Sequence, residues 1–283
     1  MVNNKKIVFL GSRIHVINEL LQDVQRDDLI IYALENSFLV SYLNERNISY
    51  LTFSMRDKKA CLDELLLLDF DVLISNGCPI VFPVQKFKPH QILINIHPTY
   101  LPHLQGKTPM NGVFYLNYSF YGATMHYIDK GIDTGDVICQ KKEELTSDID
   151  LGLLYHLAMK LEGWVFKEGW RKLKQANFEY IGIKQDAKST YFNRTNEMRN
   201  LDFNNKTDIL LLKIKSFGIK SQGCTAIIEN EKYKIFEAER IIHEPLLKNH
   251  KDSEPGKIVL VYDEKFLVKT IDGIIKVKKY EII

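Results

Sequence analysis

The sequence predicts an α/β fold in which a mostly parallel sheet, covered by helices, is followed by a small antiparallel β-barrel. Two observations lead to this prediction. In the first part of the chain, continuously apolar segments of strand length alternate with segments of helical length, which is typical of a parallel sheet buried on both faces. In the last part, short strand-like segments follow one another with Asp, Glu, Asn and Gly turn residues between them, which is typical of an antiparallel barrel.

The strands of the first part are predicted from short runs rich in valine, isoleucine, leucine and aromatic residues. These runs are residues 6–11, 29–34, 50–53, 72–75, 92–96, 121–129 and 136–145. Helical spacing of apolar residues predicts helices at 14–24, 38–46, 57–68 and 150–177, and Pro109 suits the first turn of another helix. In the longest helix, Trp164, Phe166 and Trp170 are predicted to lie in the core.

A polar and irregular segment at residues 183–202 predicts a linker between two domains. The predicted boundaries are 1–183 for the first domain, 184–204 for the linker and 205–283 for the barrel domain. After a helix at 207–217, no further helix is predicted, and the barrel strands are predicted at 225–229, 233–238, 258–262, 266–270 and 274–280.

Composition bounds the class of protein and its partners. The 283-residue chain is 45% hydrophobic and 26% charged, with a formal net charge of +2, which gives no reason to expect nucleic acid or a membrane as partner. Its four cysteines (Cys61, Cys78, Cys139, Cys224) form no CxxC pair, so neither a disulfide framework nor a metal site is expected. The N-terminal apolar run is too short for a signal peptide, so a cytoplasmic protein is predicted.

Polar side chains at the end of the strand at 92–96 predict a ligand site. Asn95 and His97 are two residues apart, so on a strand they point to the same face, and Pro98 then ends the strand. Farther along, residues 129–136 place three carboxylates and two glycines in a tight loop. Alone, each element is more often structural, because such histidines bond nearby backbone and such loops are turns. Together, they supply groups that can stabilise an oxyanion and move a proton.

Three other places are candidate ligand contacts, each with a plainer alternative. The turn at Ser12 and Arg13 favours a phosphate or diphosphate, or is an ordinary strand–helix turn. The loop at 76–83, with one glycine and two prolines, can bind a flat heterocycle through its main chain, or is a simple connection. Lys107 is placed to meet an anionic substrate, or is a solvated lysine. His126, inside a predicted strand, is expected to be structural.

Three motifs resemble those of the formyltransferases that use 10-formyltetrahydrofolate. The motifs are Asn95-Ile-His97, Leu101-Pro102 and Asp133-Thr134-Gly135, and their order and spacing match that family. The resemblance implies a Rossmann-like first domain and an OB-like barrel. It also implies that Asn95, His97 and Asp133 are catalytic and that N10-formyltetrahydrofolate is the co-substrate, with no metal. Residues implied to hold the folate are Gly77, Pro79, Ile80, Asp129, Gly131 and Asp133.

The acceptor implied by the resemblance is a nucleotide-linked amino sugar. His97 to Pro102, followed by Gly106, Lys107 and Pro109, is most similar to sugar N-formyltransferases, while the tail resembles that of methionyl-tRNA formyltransferases. The expected reaction is formylation of the amino group of a dTDP- or UDP-linked amino deoxysugar, with Ser12, Arg13 and Lys107 near the diphosphate. A homodimer acting in surface-polysaccharide biosynthesis, without nucleic acid or membrane partners, is also implied.

Three alternatives to formylation of an amino sugar remain open. Formylation of methionyl-tRNA is the first, although residues 34–38 pass directly into a helix where those enzymes carry a basic insertion, and the tail is nearly neutral in charge. Glycinamide ribonucleotide formylation is the second, although those enzymes usually lack a C-terminal barrel. The third is a binding protein without turnover, against which the intact Asn95, His97 and Asp133 argue.

Overall fold

The computed structural model describes residues 5–283, so residues 1–4, the start of the predicted first domain, lie outside the described residues. The chain divides into two compact units whose segments alternate along the sequence. The first unit contains the chain up to Pro109, Phe120–Glu144 and His156–Phe192. The second unit contains Met110–Ser119, Leu145–Tyr155 and Asn193–Ile283.

The first unit is built on a mostly parallel sheet, as the sequence predicts. Its strands are β1 (Ile7–Gly11), β2 (Leu29–Leu34), β3 (Leu51–Phe53), β4 (Val72–Asn76), β5 (Ile92–His97), β6 (Phe120–Tyr127) and β7 (Val137–Glu144). They lie in the order β3-β2-β1-β4-β5-β6-β7, with β1 to β5 parallel and β6 and β7 antiparallel. β1 and β4 are interior strands and are buried at every residue, which explains the continuously apolar sequence of β1.

Helices connect the strands and cover the sheet of the first unit. The helices of the chain are α1 (Ile14–Leu20), α2 (Phe38–Glu45), α3 (Lys58–Leu67), α4 (Pro109–Tyr115), α5 (Leu151–Gln175), α6 (Thr207–Phe217) and α7 (Glu244–Asn249). One hydrophobic cluster joins α3 to strands β1 to β5 and contains Val8, Leu10, Tyr32, Phe53, Leu65, Leu73 and Leu93. No helix within residues 5–283 combines the length and the apolar character needed to cross a membrane.

Helix α5 corrects one prediction about the core. Phe166 and Trp170 are buried and stacked, with ring centroids 5.5 Å apart, as predicted. Trp164 was predicted to be buried with them, but 43% of its surface is exposed, and the ammonium of Lys141 lies 4.8 Å from its ring centroid. The reason is helical geometry: two residues correspond to about 200° around a helix, so Trp164 and Phe166 point in opposite directions.

The second unit contains a five-stranded antiparallel sheet, also in agreement with the prediction. Its strands are β8 (Cys224–Ile228), β9 (Glu231–Arg240), β10 (Ile258–Tyr262), β11 (Lys265–Lys269) and β12 (Ile274–Ile282), in the order β10-β11-β12-β9-β8. Helix α6 packs on it through Leu210, Ile214 and Phe217. The prediction of no further helix is wrong, because α7 follows β9. His243 caps α7 by accepting a hydrogen bond from the Leu246 N–H, a contact too local for apolar periodicity to reveal.

Two of the tight turns in this sheet have non-glycine residues in a strained conformation. In the turn between β10 and β11, Asp263 and Glu264 have φ angles of 46° and 56°, which is the geometry of a type I′ turn. Replacing Glu264 by glycine is therefore expected to stabilise the protein by about 0.5 to 1 kcal/mol, since glycine adopts positive φ without strain. Thermal unfolding tests this, with Glu254→Gly as the control; a lower melting temperature for Glu264→Gly would contradict it.

Candidate active site

The polar residues predicted to form a site lie together at the carboxyl ends of the central strands in the first unit. A cleft of about 420 Å³ is lined by Asn95 and His97 at the end of β5, by the loop after β4 and by the loop after β6. Open α/β sheets commonly bind ligands at this edge. The predicted residues that line it are Gly77, Pro79, Ile80, Asn95, His97, Lys107, Asp129, Gly131, Asp133 and Arg13.

His97 is a buried imidazole whose two ring nitrogens have different neighbours. Its Nε2 lies 2.9 Å from the carbonyl oxygen of Leu104. A carbonyl oxygen only accepts, so Nε2 carries a hydrogen and, in the neutral ring, Nδ1 carries a lone pair. Nδ1 faces the Asp133 carboxylate, with 3.5 Å between Nδ1 and Oδ1. Two groups able to share one proton are thus held together at the end of β5.

Asp133 has a strained backbone and is held by several donors. Its φ angle is 57°, in the left-handed region that non-glycine residues rarely adopt. One carboxylate oxygen accepts a hydrogen bond from the Gly106 N–H at 2.9 Å, and the other accepts one from the Asn95 amide at 3.2 Å. In this strained conformation, the Asp133 carboxylate is directed at Asn95 and His97.

The electrostatics of this pair favour an ionised Asp133 and a neutral His97. Burial acts to raise the pKa of Asp133, but the imidazoles of His97 and His126, in their protonated forms, and the Gly106 N–H hold it below its usual range. Burial lowers the pKa of His97 below the ordinary value of a histidine, although the Asp133 charge and the bond to Leu104 oppose this effect. At neutral pH the site therefore contains a carboxylate beside an unprotonated Nδ1.

His126 lies inside this cluster, although the sequence indicates only a structural role. Its Nδ1 donates to the Tyr127 carbonyl oxygen at 2.7 Å, so its Nε2 accepts from the Asn95 amide at 3.1 Å. The two hydrogens of the Asn95 amide are thus directed to His126 and Asp133. The signal that the sequence could have offered is strand pairing, because Asn95 and His126 are direct partners in the antiparallel β5–β6 ladder.

Two glutamines that the sequence analysis did not single out fix the Asp133 loop. The side chains of Gln105 and Gln185 each donate to the main-chain carbonyl of Asp133 at 3.1 Å, and Gln185 also donates to the Gly135 carbonyl at 2.7 Å. Gln185 belongs to the segment predicted as a linker, and no local pattern marks it. Its contacts with the loop arise only from the fold.

The loops predicted to hold a heterocycle face the cleft. Gly77 has a φ angle of 67°, and a Cβ atom there would lie 2.7 Å from the Ser12 hydroxyl oxygen, so the close approach requires glycine. Pro79 and Ile80 follow it in the lining. In the facing loop, the Asp129 carboxylate accepts from the Gly131 N–H at 3.0 Å and from a threonine hydroxyl, which stiffens the turn.

The three predicted substrate contacts have different surroundings. Arg13 and Lys107 line the cleft. The hydroxyl of Ser12 donates instead to the Gly77 carbonyl at 2.7 Å, so it supports the loop after β4. Met55, in the connection after β3, and Lys58, the first residue of α3, also line the cleft, and the sequence did not reveal them. Within residues 5–283, no group of three or more His, Cys, Asp or Glu side chains could hold a metal ion.

Two parts of the sequence match one enzyme family. Residues 32–169, which include the Asn95, His97 and Asp133 cluster, match the formyl transferase family, and residues 194–282 match the C-terminal domain of formyl transferases. The chain belongs to the formyl transferase family. The resemblance inferred from the three motifs is thereby confirmed, and the protein is an enzyme, a formyltransferase.

Known proteins similar to this formyltransferase include a methionyl-tRNA formyltransferase and an N-formyltransferase solved with dTDP-3-aminofucose. The methionyl-tRNA formyltransferase of Caldanaerobacter subterraneus subsp. tengcongensis is 26% identical over 228 residues, which cover 79% of this chain and 70% of the relative. The N-formyltransferase from Helicobacter canadensis, solved in complex with folinic acid and dTDP-3-aminofucose, has a TM-score of 0.73 and 21% identity, covering 98% of this chain and 100% of that one.

A second solved structure shares the fold of this formyltransferase over a longer protein. HypX from Aquifex aeolicus, solved in complex with tetrahydrofolic acid, has a TM-score of 0.67 and 15% identity over 97% of this chain. The formyltransferase spans 44% of the length of HypX. At these identities, the likeness to both solved structures establishes the fold.

Proposed function

We propose that this formyltransferase transfers a formyl group from N10-formyltetrahydrofolate to the amino group of a dTDP- or UDP-linked amino deoxysugar. The observation that carries the proposal is the presence of two cationic side chains, Arg13 and Lys107, in the same cleft as Asn95, His97 and Asp133. A nucleotide-linked sugar needs cations for its diphosphate and catalytic groups for its amine. A cytoplasmic homodimer remains part of the proposal.

The loops after β4 and β6, which also line the cleft, suit the donor. Pro79, Ile80 and Val81 give an apolar surface for a flat ring, and the glycine at position 77 allows main chain to approach it closely. Asp129 and Gly131 form the rigid turn on the facing side. The Helicobacter canadensis enzyme, which has the same fold, holds folinic acid and dTDP-3-aminofucose together, and this supports both substrate assignments.

The first step of the proposed mechanism is attack by the neutral sugar amine on the formyl carbon. The nitrogen lone pair forms the new C–N bond, and the carbonyl π electrons move to the formyl oxygen. An N–H of Asn95 stabilises that oxygen, since an amide hydrogen now directed to His126 or Asp133 can turn to a developing oxyanion. Removing one such donor typically lowers the rate by about 10²- to 10³-fold.

The second requirement is removal of the proton that the attacking nitrogen carries. Nδ1 of His97 and Oδ1 of Asp133 are 3.5 Å apart and both unprotonated at neutral pH, so one proton placed between them bonds to both groups. The oxyanion then re-forms its double bond and the bond to N10 breaks. The electron pair goes to N10, which takes up a proton and leaves as tetrahydrofolate.

Methionyl-tRNA formylation is the second candidate, and sequence similarity to the Caldanaerobacter relative favours it. Two features of this chain weigh against tRNA. The connection between β2 and α2 is only Glu35 to Ser37, with no basic segment, and the formal net charge is +2. RNA binding draws most of its affinity from basic surface that contacts phosphates.

Turnover with a panel of acceptors tests the proposal. Purified enzyme and N10-formyltetrahydrofolate are incubated with dTDP- and UDP-linked 3-amino and 4-amino deoxysugars, and mass spectrometry monitors the gain of one formyl group. We expect one amino sugar to be formylated with release of tetrahydrofolate. Release of tetrahydrofolate without formylation of any amino sugar in the panel would contradict the proposed acceptor class.

A further inference from the structure

A buried glutamate on α5 forms an ion pair with Arg13, one of the cationic side chains that line the cleft. Glu162 is fully buried, and its Oε1 forms an ion pair with the Arg13 guanidinium. The Arg13 side chain is 19% exposed and lines the cleft, so this ion pair connects the buried Glu162 carboxylate to the surface of the cleft. None of the catalytic steps derived above uses Glu162.

Two oxygen atoms at this place lack the hydrogen bonds that buried groups require. Within residues 5–283, Oε2 of Glu162 and Oδ1 of Asn76 have no hydrogen-bond partner. Asn76 is itself fully buried at the end of β4; its side-chain amide donates to the Ile96 carbonyl at 3.3 Å and also acts on the Glu162 carboxyl, whose pKa it helps to lower. Both unpartnered oxygens are acceptors, so a proton on Glu162 would supply a donor at this place.

The carboxyl group of Glu162 changes between its protonated and ionised forms close to neutral pH. Burial raises the pKa of Glu162 to about 7, although Arg13 and Asn76 act to lower it. Other titratable groups surround the pair. His15 on α1 packs against Gly163, and burial together with the charges of His156 and Lys160 on α5 lowers the pKa of His15. The charge of Arg13 adds to the effect of burial in lowering the pKa of the catalytic His97. An anion bound to Arg13 would remove part of the positive charge that keeps Glu162 ionised.

We propose that Glu162 is a positioning residue that directs Arg13 toward an anionic group in the cleft and takes up one proton from solvent when that anion binds. The choice of a nucleotide diphosphate as the anion rests on the proposed function. In the free enzyme, the ionised Glu162 competes with the ligand for Arg13. When the diphosphate binds, the Glu162 oxygen forms an O–H bond and donates to Asn76, and Arg13 keeps its charge for the ligand.

The sign of the pH dependence follows from this exchange. Ligand binding is strongest where Glu162 is already protonated, and weakens as pH rises through its pKa near 7. Above that pH, affinity should fall by up to about tenfold per pH unit, the limit for uptake of one proton, and uptake should be roughly half a proton at pH 7. An affinity that falls as the pH is lowered would contradict this exchange.

Calorimetric titration of UDP-glucose and dTDP-glucose into wild type and Glu162→Gln is the test. These nucleotide sugars have a diphosphate diester that does not titrate near neutrality, and buffers of different ionisation heat report the protons taken up. Glutamine keeps the size of the side chain and can donate to Asn76, so we expect the variant to bind without this proton uptake and with a flat pH dependence. Glu168→Gln, on the same helix, is the matched control and should behave as wild type.

Proton uptake and pH slope that are equal in wild type and Glu162→Gln would overturn the proposal. If Glu162→Gln does not fold, infrared difference spectra of the wild-type enzyme provide the test. Addition of the ligand must then produce the band of a protonated carboxyl group, and absence of that band refutes the proposal. Failure of nucleotide sugars and of pyrophosphate to bind would refute an anion site at Arg13. Formyl transfer to an amino sugar is measured separately, so failure of the proposed function is distinguishable from failure of this inference.

Discussion

Replacing Asp133 by asparagine is expected to lower the turnover rate by about 10²- to 10⁴-fold while the protein stays folded. Asparagine has nearly the same shape, but its amide carries no negative charge and cannot share a proton with His97 Nδ1 across the 3.5 Å gap. Gln105 and Gln185 hold the loop through the main-chain carbonyl of Asp133, so these contacts survive the substitution, and the asparagine side-chain oxygen can still accept from the Gly106 N–H.

Steady-state kinetics and thermal unfolding of Asp133→Asn provide the measurement. Asp63→Asn is the matched control, because Asp63 is an exposed carboxylate on α3 that pairs with Lys59 and should leave turnover unchanged. We expect the loss in Asp133→Asn to appear in kcat, since the group acts on the reacting nitrogen. A variant that turns over within a few-fold of wild type would show that Asp133 has no part in proton transfer.

Replacing His97 by glutamine is expected to cause a loss of similar size, about 10²- to 10⁴-fold in kcat. The glutamine amide can still donate to the Leu104 carbonyl, as Nε2 of His97 does at 2.9 Å, but it has no lone pair on nitrogen to receive a proton. His90→Gln is the control, because His90 is exposed and lies outside the cleft lining. Unchanged kcat in His97→Gln would remove His97 from the mechanism.

The pH profile of wild type gives an independent check on His97. The imidazole must be neutral to receive the proton, and burial lowers its pKa below the ordinary value of about 6.5. The limb set by His97 should therefore lie on the acid side of an ordinary histidine, and it is separate from the limb set by the sugar amine, which must also be neutral and whose pKa is measured on the free nucleotide sugar. An acid limb at or above the ordinary histidine value that is not the limb of the amine would contradict the charge state that we assign.

Asn95 and His97 could be predicted from the sequence because their positions follow from local rules. They are alternate residues of one strand and end at a proline, so their shared face and their place at the sheet edge need no knowledge of distant contacts. Asp133 is farther along the chain, but its loop carries glycines and carboxylates that are visible as a turn. The positions of most strands along the chain were predictable for the same reason.

The residues that the sequence did not reveal belong to contacts between distant segments. His126 reaches Asn95 through antiparallel pairing of β5 and β6, whose register no single strand specifies. Gln185 contacts the Asp133 loop from a segment without periodicity. Glu162 lies 149 residues from Arg13 in sequence, and a glutamate on a long helix is far more often exposed than buried.

The central claim is that the acceptor is an amino sugar nucleotide, and direct competition between acceptors tests it. Enzyme and N10-formyltetrahydrofolate with a labelled formyl group are mixed with equal concentrations of a dTDP- or UDP-linked amino sugar and methionyl-tRNA, and the label in each product is counted. We expect label in the sugar nucleotide and none above background in the tRNA. Label in methionyl-tRNA, with the sugar nucleotide unmodified, would contradict it.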